Sequence, residues 1–238
     1  MSDWITLIIA IASLVPLCIA VLFAYFYSSG KSLQPEEETP RQLETAQPLD
    51  LKYRIPLSLA ARELADQLGN IIHRSLVEVA HGTPVQHDAF FLFTMFTFGQ
   101  YLYWVRIIQL DLQSLMIERT AKQGHPLHEL LNIISQHLLE HNDELPFTLY
   151  RTHQLAIGEI MSEKQPDGTL TCRSYTNFVY RYNTEYCHNN FRKWFLPIEG
   201  GLNALVEAHE RKLPPPHERL IKLQGHLKCL QEVLKTEA

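Results

Sequence analysis

The chain has 238 residues, 46% of them hydrophobic, with a formal net charge of −5 and a pI near 6.2. The hydrophobic fraction excludes wholesale disorder, and the acidic balance with scattered Lys and Arg argues against nucleic-acid binding. No two cysteines have Cys-x-x-Cys spacing, which excludes a zinc knuckle or thioredoxin-like site and favours a reducing compartment over a disulfide framework. The four cysteines are Cys18, Cys172, Cys187 and Cys229.

The N-terminal run from Trp4 to Tyr27 predicts a transmembrane anchor, because it contains no charged residue. A helix of about 20 residues crosses the roughly 30 Å hydrocarbon core of a bilayer. Aromatic residues stand at both ends of the run, as in interfacial belts. A cleaved signal peptide is the alternative, but it has a basic start and a shorter apolar core, whereas Asp3 precedes a long one here. We therefore expect an anchor in residues 1–30, with the lipid bilayer as its partner.

An acidic, proline-containing linker is expected after the anchor, over residues 31–55. Three prolines and four glutamates fall between residues 28 and 50, with little apolar content, so this stretch should be extended. Lys31 and Arg41 follow the anchor, whereas no basic residue precedes it, and the positive-inside rule therefore places the following domain in the cytosol. That domain is predicted to occupy residues 56–238.

The first helix of the domain is predicted over residues 57–80. Ser58 is the expected N-cap, and Gly82 with Pro84 is the expected stop signal. Its apolar side chains recur at helical spacing. The stripe consists of Leu57, Leu64, Leu68, Ile72, Leu76 and Val79.

The next helix, from Asp88 to Glu118, allows two interpretations. No charge interrupts Ala89 to Val105, which suits a second membrane span. However, Thr94, Thr97 and Gln100 interrupt the apolar run, and its aromatic residues fill the middle rather than the ends. We therefore predict a buried central helix of a bundle, hydrophobic on nearly all sides.

Further helices are predicted over residues 126–145, from about Leu149 to residue 163, and over residues 217–235. They carry apolar residues at helical spacing, including a repeat of leucines in the last one. The resulting fold class is all-α: an N-terminal transmembrane helix followed by a multi-helix bundle.

The region between these helices is less regular. Residues 166–172 contain Pro-Asp-Gly and are expected to turn. Residues 174–182 are predicted as a short helix, although their aromatic side chains also suit a strand. A helix over residues 184–208 is expected to kink or split at Pro197 and Gly200-Gly201.

One short motif suggests metal chemistry. Residues 137–141 read His-Leu-Leu-Glu-His, the His-x-x-Glu-His signature of inverted zinc proteases. On a helix, His137 and His141 would reach one Zn²⁺ with Glu140 as general base, and resemblance to those proteases would make Glu218 a third ligand. The flanks lack the small residues typical of that family, and no strand-rich catalytic domain is predicted. We interpret His141, near the apolar stripe, as a hydrogen-bonded core histidine, and expect no metal or other cofactor.

Polar residues around the helix at 151–161 are the remaining candidates for a binding site. Arg151, Gln154 and Gly158 recur at i, i+3 and i+7 and share one helical face, where Gly158 lets another backbone approach closely. Glu159 is expected to pair with Arg106 or Arg192. The cluster either holds a ligand or partner, or it is an internal network that fixes the bundle, which we favour. The candidate binding residues are Arg106, Arg151, Gln154, Glu159, Arg192 and Trp194. No residue is assigned a catalytic role.

Several segments together resemble one recurring arrangement. They are residues 151–161 (RTHQLAIGEIM), Cys172 with Tyr175 and Phe178, residues 191–198 (FRKWFLPI), and residues 218–230 (ERLIKLQGHLKCL), preceded by residues 100–115. The arrangement resembles that of a family of uncharacterised, membrane-anchored helical proteins of bacteria and fungi. The resemblance implies an anchored helical architecture and no particular activity. The chain departs from the family at His153, where a glutamate usually stands.

Three functions are compatible with these patterns. The first is a membrane-anchored interaction or tethering module, which would recruit a protein partner and is not expected to be an enzyme. The second is a membrane-associated enzyme or small-ligand-binding protein that uses the Arg151, Gln154 and Glu159 cluster. The third is a zinc hydrolase acting through His137, Glu140 and His141.

Overall fold

The computed structural model describes residues 49–75, 83–116, 126–140, 147–184, 190–213 and 218–236. The predicted anchor, most of the predicted linker and His141 lie outside these ranges. Residues 47–238 form one compact unit. Its described part is mainly helical, as predicted, with one short hairpin in addition. The elements are α1 (Leu49–Asn70), a π-helical turn (Ile71–Ser75), α2 (Pro84–Met116), α3 (Pro126–Leu139), α4 (Arg151–Ile160), β1 (Ser162–Lys164), β2 (Leu170–Cys172), α5 (Tyr175–Thr184), a 3₁₀ turn (Arg192–Trp194), α6 (Leu196–Glu210) and α7 (Glu218–Thr236).

Helix α1 begins earlier than predicted, at Leu49, so residues 49–55 of the expected linker are helical. Ser58 is therefore an interior residue of α1 and not its N-cap. Because proline is disfavoured inside a helix, the sequence predicts that the helix begins near Pro56. The helix nevertheless extends upstream of it, because Tyr53 is buried and donates a hydrogen bond to Asp111.

Helix α1 lies between α2 and α7, and Leu57, Leu64 and Leu68 of its predicted stripe are buried. Leu76 and Val79 of that stripe lie outside the described residues. Its first turns contact the end of α2, whereas Gln67, near its other end, donates a hydrogen bond to Thr94 early in α2 at 2.8 Å. The two helices are therefore antiparallel. The same holds for α7, because Gln224 in its first half donates to the carbonyl oxygen of Ala65 in the second half of α1 at 2.9 Å.

Helix α2 is the central helix of the bundle. Most of its side chains between Phe91 and Ile108 are buried or partly buried, and it contacts α1, α4, α5, α6 and β2. This supports the buried-helix interpretation of Ala89 to Val105. Within the described ranges, no helix is long and apolar enough to cross a membrane.

Five of the helices follow one another around the bundle. Helix α3 packs on α7, α7 on α1, α1 on α2, and α2 on α4; α4 in turn contacts α3. The first four contacts bury apolar side chains and also include hydrogen bonds, such as Gln67 to Thr94, whereas hydrogen bonds of Ser135 make much of the last.

The predicted turn at residues 166–172 is part of a short β-hairpin, which is a small addition to an otherwise all-α fold. Strands β1 and β2 are antiparallel, with Ser162 opposite Cys172. Gly168 supplies the positive φ of 87° at the turn, and Asp167 accepts a hydrogen bond from the Thr169 backbone N–H at 2.9 Å. Strands of three residues are too short to produce a readable alternation in sequence.

The segment after the hairpin is helical, as predicted, in α5, where Phe178 packs among Phe96, Phe191 and Phe195. The helix predicted over residues 184–208 is split at Pro197, as expected, because a 3₁₀ turn ends at Trp194 and α6 begins at Leu196. Helix α6 is then continuous to Glu210, so the predicted kink at Gly200-Gly201 is wrong. Pro197 lies in the first turn, where its missing N–H costs no helical hydrogen bond.

Helix α4 lies directly on α2 at Gly158. A Cβ at this position would stand 2.8 Å from the Leu102 carbonyl oxygen and 2.8 Å from Arg106 Cβ. Only glycine permits this approach, as the sequence pattern predicts. Gly225 in α7, by contrast, faces open space, because a Cβ there would have no neighbouring heavy atom within 4 Å. Gly225 therefore serves as a matched control.

Alanine substitution at these two helical glycines should change stability in opposite directions. We expect Gly158→Ala to lower the free energy of unfolding by about 1–3 kcal/mol, because α4 must move off α2. Gly225→Ala should raise it by about 0.5–1 kcal/mol through helix propensity alone. Urea unfolding followed by circular dichroism measures both. A Gly158→Ala chain as stable as the wild type would show that the close approach is absent.

Candidate functional site

Four of the six candidate residues come together where α4 meets α2 and α3. Arg151 and Gln154 reach Ser135 on α3, whereas Glu159 reaches Arg106 on α2. The helical spacing of α4 explains this division, since residues near its start and residues near its end meet different neighbours. The cluster is thus a junction between three helices.

The amide of Gln154 is buried and makes three hydrogen bonds within the protein. Its Nε2 donates to the Ser135 carbonyl oxygen at 3.0 Å and to the Leu149 carbonyl oxygen at 2.8 Å. Its Oε1 accepts from the Ser135 hydroxyl at 2.6 Å, and that hydroxyl accepts in turn from Arg151 Nη1 at 2.6 Å. Both amide protons and one oxygen lone pair are therefore engaged inside the protein. Such an amide has little capacity left for a ligand.

The ion pair of Arg106 and Glu159 decides one of the alternatives left by the sequence. Arg106 Nη2 lies 2.7 Å from Glu159 Oε1, and the Glu159 side chain is 57% exposed. A pair this exposed contributes about 0–1 kcal/mol. Arg106 Nε is buried and has no hydrogen-bond partner within the described part of the chain.

A crevice lies beside this cluster, and its volume limits what the cluster can bind. It measures about 10 Å³ and is lined by Leu102, Val105, Arg106, Gln109, Arg151, Gln154 and Leu155. A space of this size holds about one water molecule. Drug-sized ligands occupy pockets of roughly 300–1,000 Å³. The cluster is therefore closed to a small-molecule substrate in this structure.

Arg192 belongs to a different cluster. Its Nη2 donates to Glu199 Oε1 at 2.7 Å, and Glu199 Oε2 accepts from the Tyr182 hydroxyl at 2.6 Å. The hydrogen bond to Glu199 raises the pKa of Arg192. Burial, followed by the hydrogen bond to Glu199, raises the pKa of Tyr182 well above its ordinary value. Arg192 therefore pairs with Glu199, and Glu159 pairs with Arg106.

Trp194 lies near α4, against His153. The ring centroids of Trp194 and His153 are 5.8 Å apart in an edge-to-face arrangement, and His153 is 5.7 Å from the Tyr150 ring. Lys193 Nζ stands 4.8 Å from the Trp194 ring centroid. Burial lowers the pKa of His153, so its imidazole is neutral at pH 7.

The first histidine of the zinc-protease motif, His137, is a buried residue of the helical core. His137 is 6% exposed, and its Nε2 donates to the Arg219 carbonyl oxygen at 3.0 Å. Its ring lies 5.5 Å from that of His226. Glu218, the proposed distant ligand, is exposed and pairs with Lys222 at 2.7 Å.

No group of three or more His, Cys, Asp or Glu residues in the described ranges could hold a metal ion. A hydrogen-bonded core histidine is present, but it is His137. His141, for which the sequence analysis predicted that role, lies outside the described residues.

Two buried arginines were missed by the sequence analysis. Arg173 is 6% exposed, and its guanidinium donates to the carbonyl oxygens of Ile160 and Ser162, which fixes the hairpin to the end of α4. Arg219 is 1% exposed and donates to the Thr148 hydroxyl at 2.8 Å. Arg219 occupies the position before Leu220 of the leucine stripe and one turn before Leu223, which was a readable sign of burial.

Cys172 is partly buried near the core, and its thiol is not activated as a nucleophile. Burial raises the pKa of the Cys172 thiol to about 12, and the nearby Arg173 offsets only part of that rise. The thiolate is the nucleophilic form, so Cys172 is almost entirely protonated at pH 7.

An open groove lies between α1 and α7. It has a volume of about 450 Å³ and is lined by Asp66, Gly69, Asn70, His73, Gln224 and Lys228. All of these are polar residues or glycine, whereas ligand pockets are lined mostly by apolar and aromatic side chains. The groove therefore lacks the walls that a small-molecule site needs.

The fold and this geometry define a helical bundle with an internal polar junction. No protein-family model, no curated protein and no solved structure matches the chain. Its function is accordingly argued from the residues and contacts described above.

Zinc analysis tests the interpretation of His137. We expect the purified full chain to carry no stoichiometric zinc, and His137→Ala to lower the free energy of unfolding by about 1–3 kcal/mol through the lost buried hydrogen bond. His128→Ala, at an exposed position of the same helix, is the matched control and should leave stability nearly unchanged. Elemental analysis giving one zinc per chain in the wild type and none in His137→Ala would contradict the packing role.

Proposed function

We propose that the chain is a membrane-anchored interaction or tethering module. In this proposal Trp4 to Tyr27 holds the chain in a bilayer, and the helical domain faces the cytosol and recruits a protein partner. The absence of charge over Trp4 to Tyr27 and the position of Lys31 and Arg41 support the anchor and its orientation. The resemblance of residues 151–161 and 191–198 to membrane-anchored helical proteins points the same way.

The closure of the polar cluster is the observation that carries this proposal. The residues that would have served an enzyme or a ligand-binding protein bond one another, and the space beside them holds about one water molecule. Burial of satisfied polar groups, such as the Gln154 amide, fixes helices relative to each other. A role through the surface of the bundle therefore fits better than chemistry within it.

The described surface also supports a role in binding. Apolar and aromatic side chains are exposed on several elements, including Tyr150 at 46% and Leu196 at 51%. Aromatic residues are enriched at protein interfaces, where they combine a large apolar area with a polar tip. Exposed side chains of this kind suit a contact with a partner protein.

Recovery of partners from solubilised membranes tests the proposal. The tagged full chain should recover a specific set of proteins that a tagged fragment of residues 1–48 does not recover, because the helical domain makes the contacts. The Glu159→Gln variant should recover the same set, since Glu159 forms a solvent-exposed ion pair with Arg106 of the same chain. Partner recovery by residues 1–48 alone would overturn the interaction module. Loss of partners in a folded Glu159→Gln chain would favour the competing ligand-binding function.

A further inference from the structure

Three rings form a row on the surface where α4 begins and the 3₁₀ turn ends. Tyr150, His153 and Trp194 are spaced at 5.7 and 5.8 Å, and we call them the aromatic row. The Tyr150 side chain is 46% exposed, and the other two are partly buried. His153 carries no charge at pH 7, because burial lowers its pKa. The row is therefore a strip of aromatic rings at the protein surface.

Two cations flank the aromatic row. Lys193 is exposed, lies over the Trp194 ring and donates to Asn190 Oδ1 at 2.8 Å. Arg151 is exposed and donates to the Ser135 hydroxyl. Within the described part of the chain, neither has a carboxylate partner.

Two carboxylates near the row are already engaged. Glu159 is the one acidic residue of α4 and pairs with Arg106. Glu199, in the first turn of α6, pairs with Arg192 and accepts from Tyr182. Neither carboxylate is therefore left to pair with the two cations beside the row.

We propose that the aromatic row, with Arg151 and Lys193, binds an acidic, proline-containing segment of a partner protein. This inference rests on the proposed function and names the surface and the chemistry of the partner. Proline-rich segments dock on strips of aromatic rings in a pre-ordered extended form, which reduces the entropy lost on binding. Glutamate or aspartate side chains between the prolines would reach the two cations and give charge complementarity.

The number of cations favours a peptide over the other anionic partners. Recognition of an anionic membrane surface relies on clusters of about 4–8 basic residues, and binding to nucleic acid requires several phosphate contacts. Among the described residues, two cations without a carboxylate partner flank the row, and the whole chain has a net charge of −5. A few carboxylates on an apolar, extended backbone match this surface better.

A defined peptide probe tests the inference. Fluorescein-labelled peptide of alternating Glu and Pro is titrated with the full chain in neutral detergent, and the Kd is read from anisotropy. We expect Lys193→Glu and Trp194→Ala each to raise the Kd about tenfold or more, because one reverses a charge contact and the other removes a ring. Lys228→Glu on α7, an exposed residue that lines the α1–α7 groove, should change the Kd less than about twofold.

Two outcomes would overturn the inference. One is that Lys193→Glu and Lys228→Glu weaken peptide binding equally, or that a peptide of alternating Lys and Pro binds as tightly as the acidic one. Either result would show that the cations beside the row do not recognise the acidic peptide. The other is a wild-type chain that ignores the peptide but binds vesicles containing phosphatidylserine in a manner lost in Lys193→Glu. Lys193 is exposed, so circular dichroism should show that its variant folds normally.

Failure of this inference is distinguishable from failure of the proposed function. If the wild-type chain binds no acidic peptide but recovers partners that residues 1–48 do not recover, the inference is wrong and the interaction module stands. If residues 1–48 recover all the partners, the interaction module is wrong whatever the peptide does.

Discussion

The hydrogen bonds of the buried Gln154 amide connect α4 to α3 and so complete a ring of five helices. Helices α3, α7, α1, α2 and α4 contact one another in that order, and the circle is completed where α4 returns to α3. That last contact is the slightest of the five, and Gln154 supplies it by bonding both the backbone and the hydroxyl of Ser135. The other contacts combine buried apolar side chains with hydrogen bonds of their own, such as Gln67 to Thr94, whereas the hydrogen bonds of Ser135 fix how α4 lies on α3.

Buried polar groups need hydrogen-bond partners, and this need explains how the polar residues of the junction fix its geometry. A buried amide left without partners costs about 1–3 kcal/mol, so Gln154 specifies a single arrangement of α3, the segment at Leu149 and α4. Gly158 permits the same helix to lie on α2, one turn further along. The exposed pair of Arg106 and Glu159 adds little stability to this arrangement. Gln154 and Gly158, which share one face of α4 in the sequence, thus connect α4 to its two neighbouring helices.

Much of the helical framework could be predicted from the sequence, because leucine stripes and the apolar central helix follow directly from burial. The face shared by Gln154 and Gly158 was also predictable from their spacing. Ser135 was not identified, although it lies one turn after Leu131 on the buried face, because serine is common on exposed faces as well. Its role depends on which helix is opposite, and this information is tertiary.

The errors at element boundaries have a similar origin. Helix α1 extends upstream of Pro56 because Tyr53 finds a partner on α2, and no local pattern carries that information. The hairpin strands of three residues are held by Arg173, whose hydrogen bonds reach back to the end of α4. Local propensity is a weak guide wherever a distant side chain determines the conformation.

The coupling between Ser135 and Gln154 tests the central claim most directly. The free energies of unfolding of the wild type, Ser135→Ala, Gln154→Ala and the double variant form a thermodynamic cycle. If the two residues act as one joint between α3 and α4, the double variant should lose about 0.5–3 kcal/mol less than the sum of the single variants. Losses that add to within about 0.3 kcal/mol would contradict the account, because they would show that the two side chains stabilise the bundle independently.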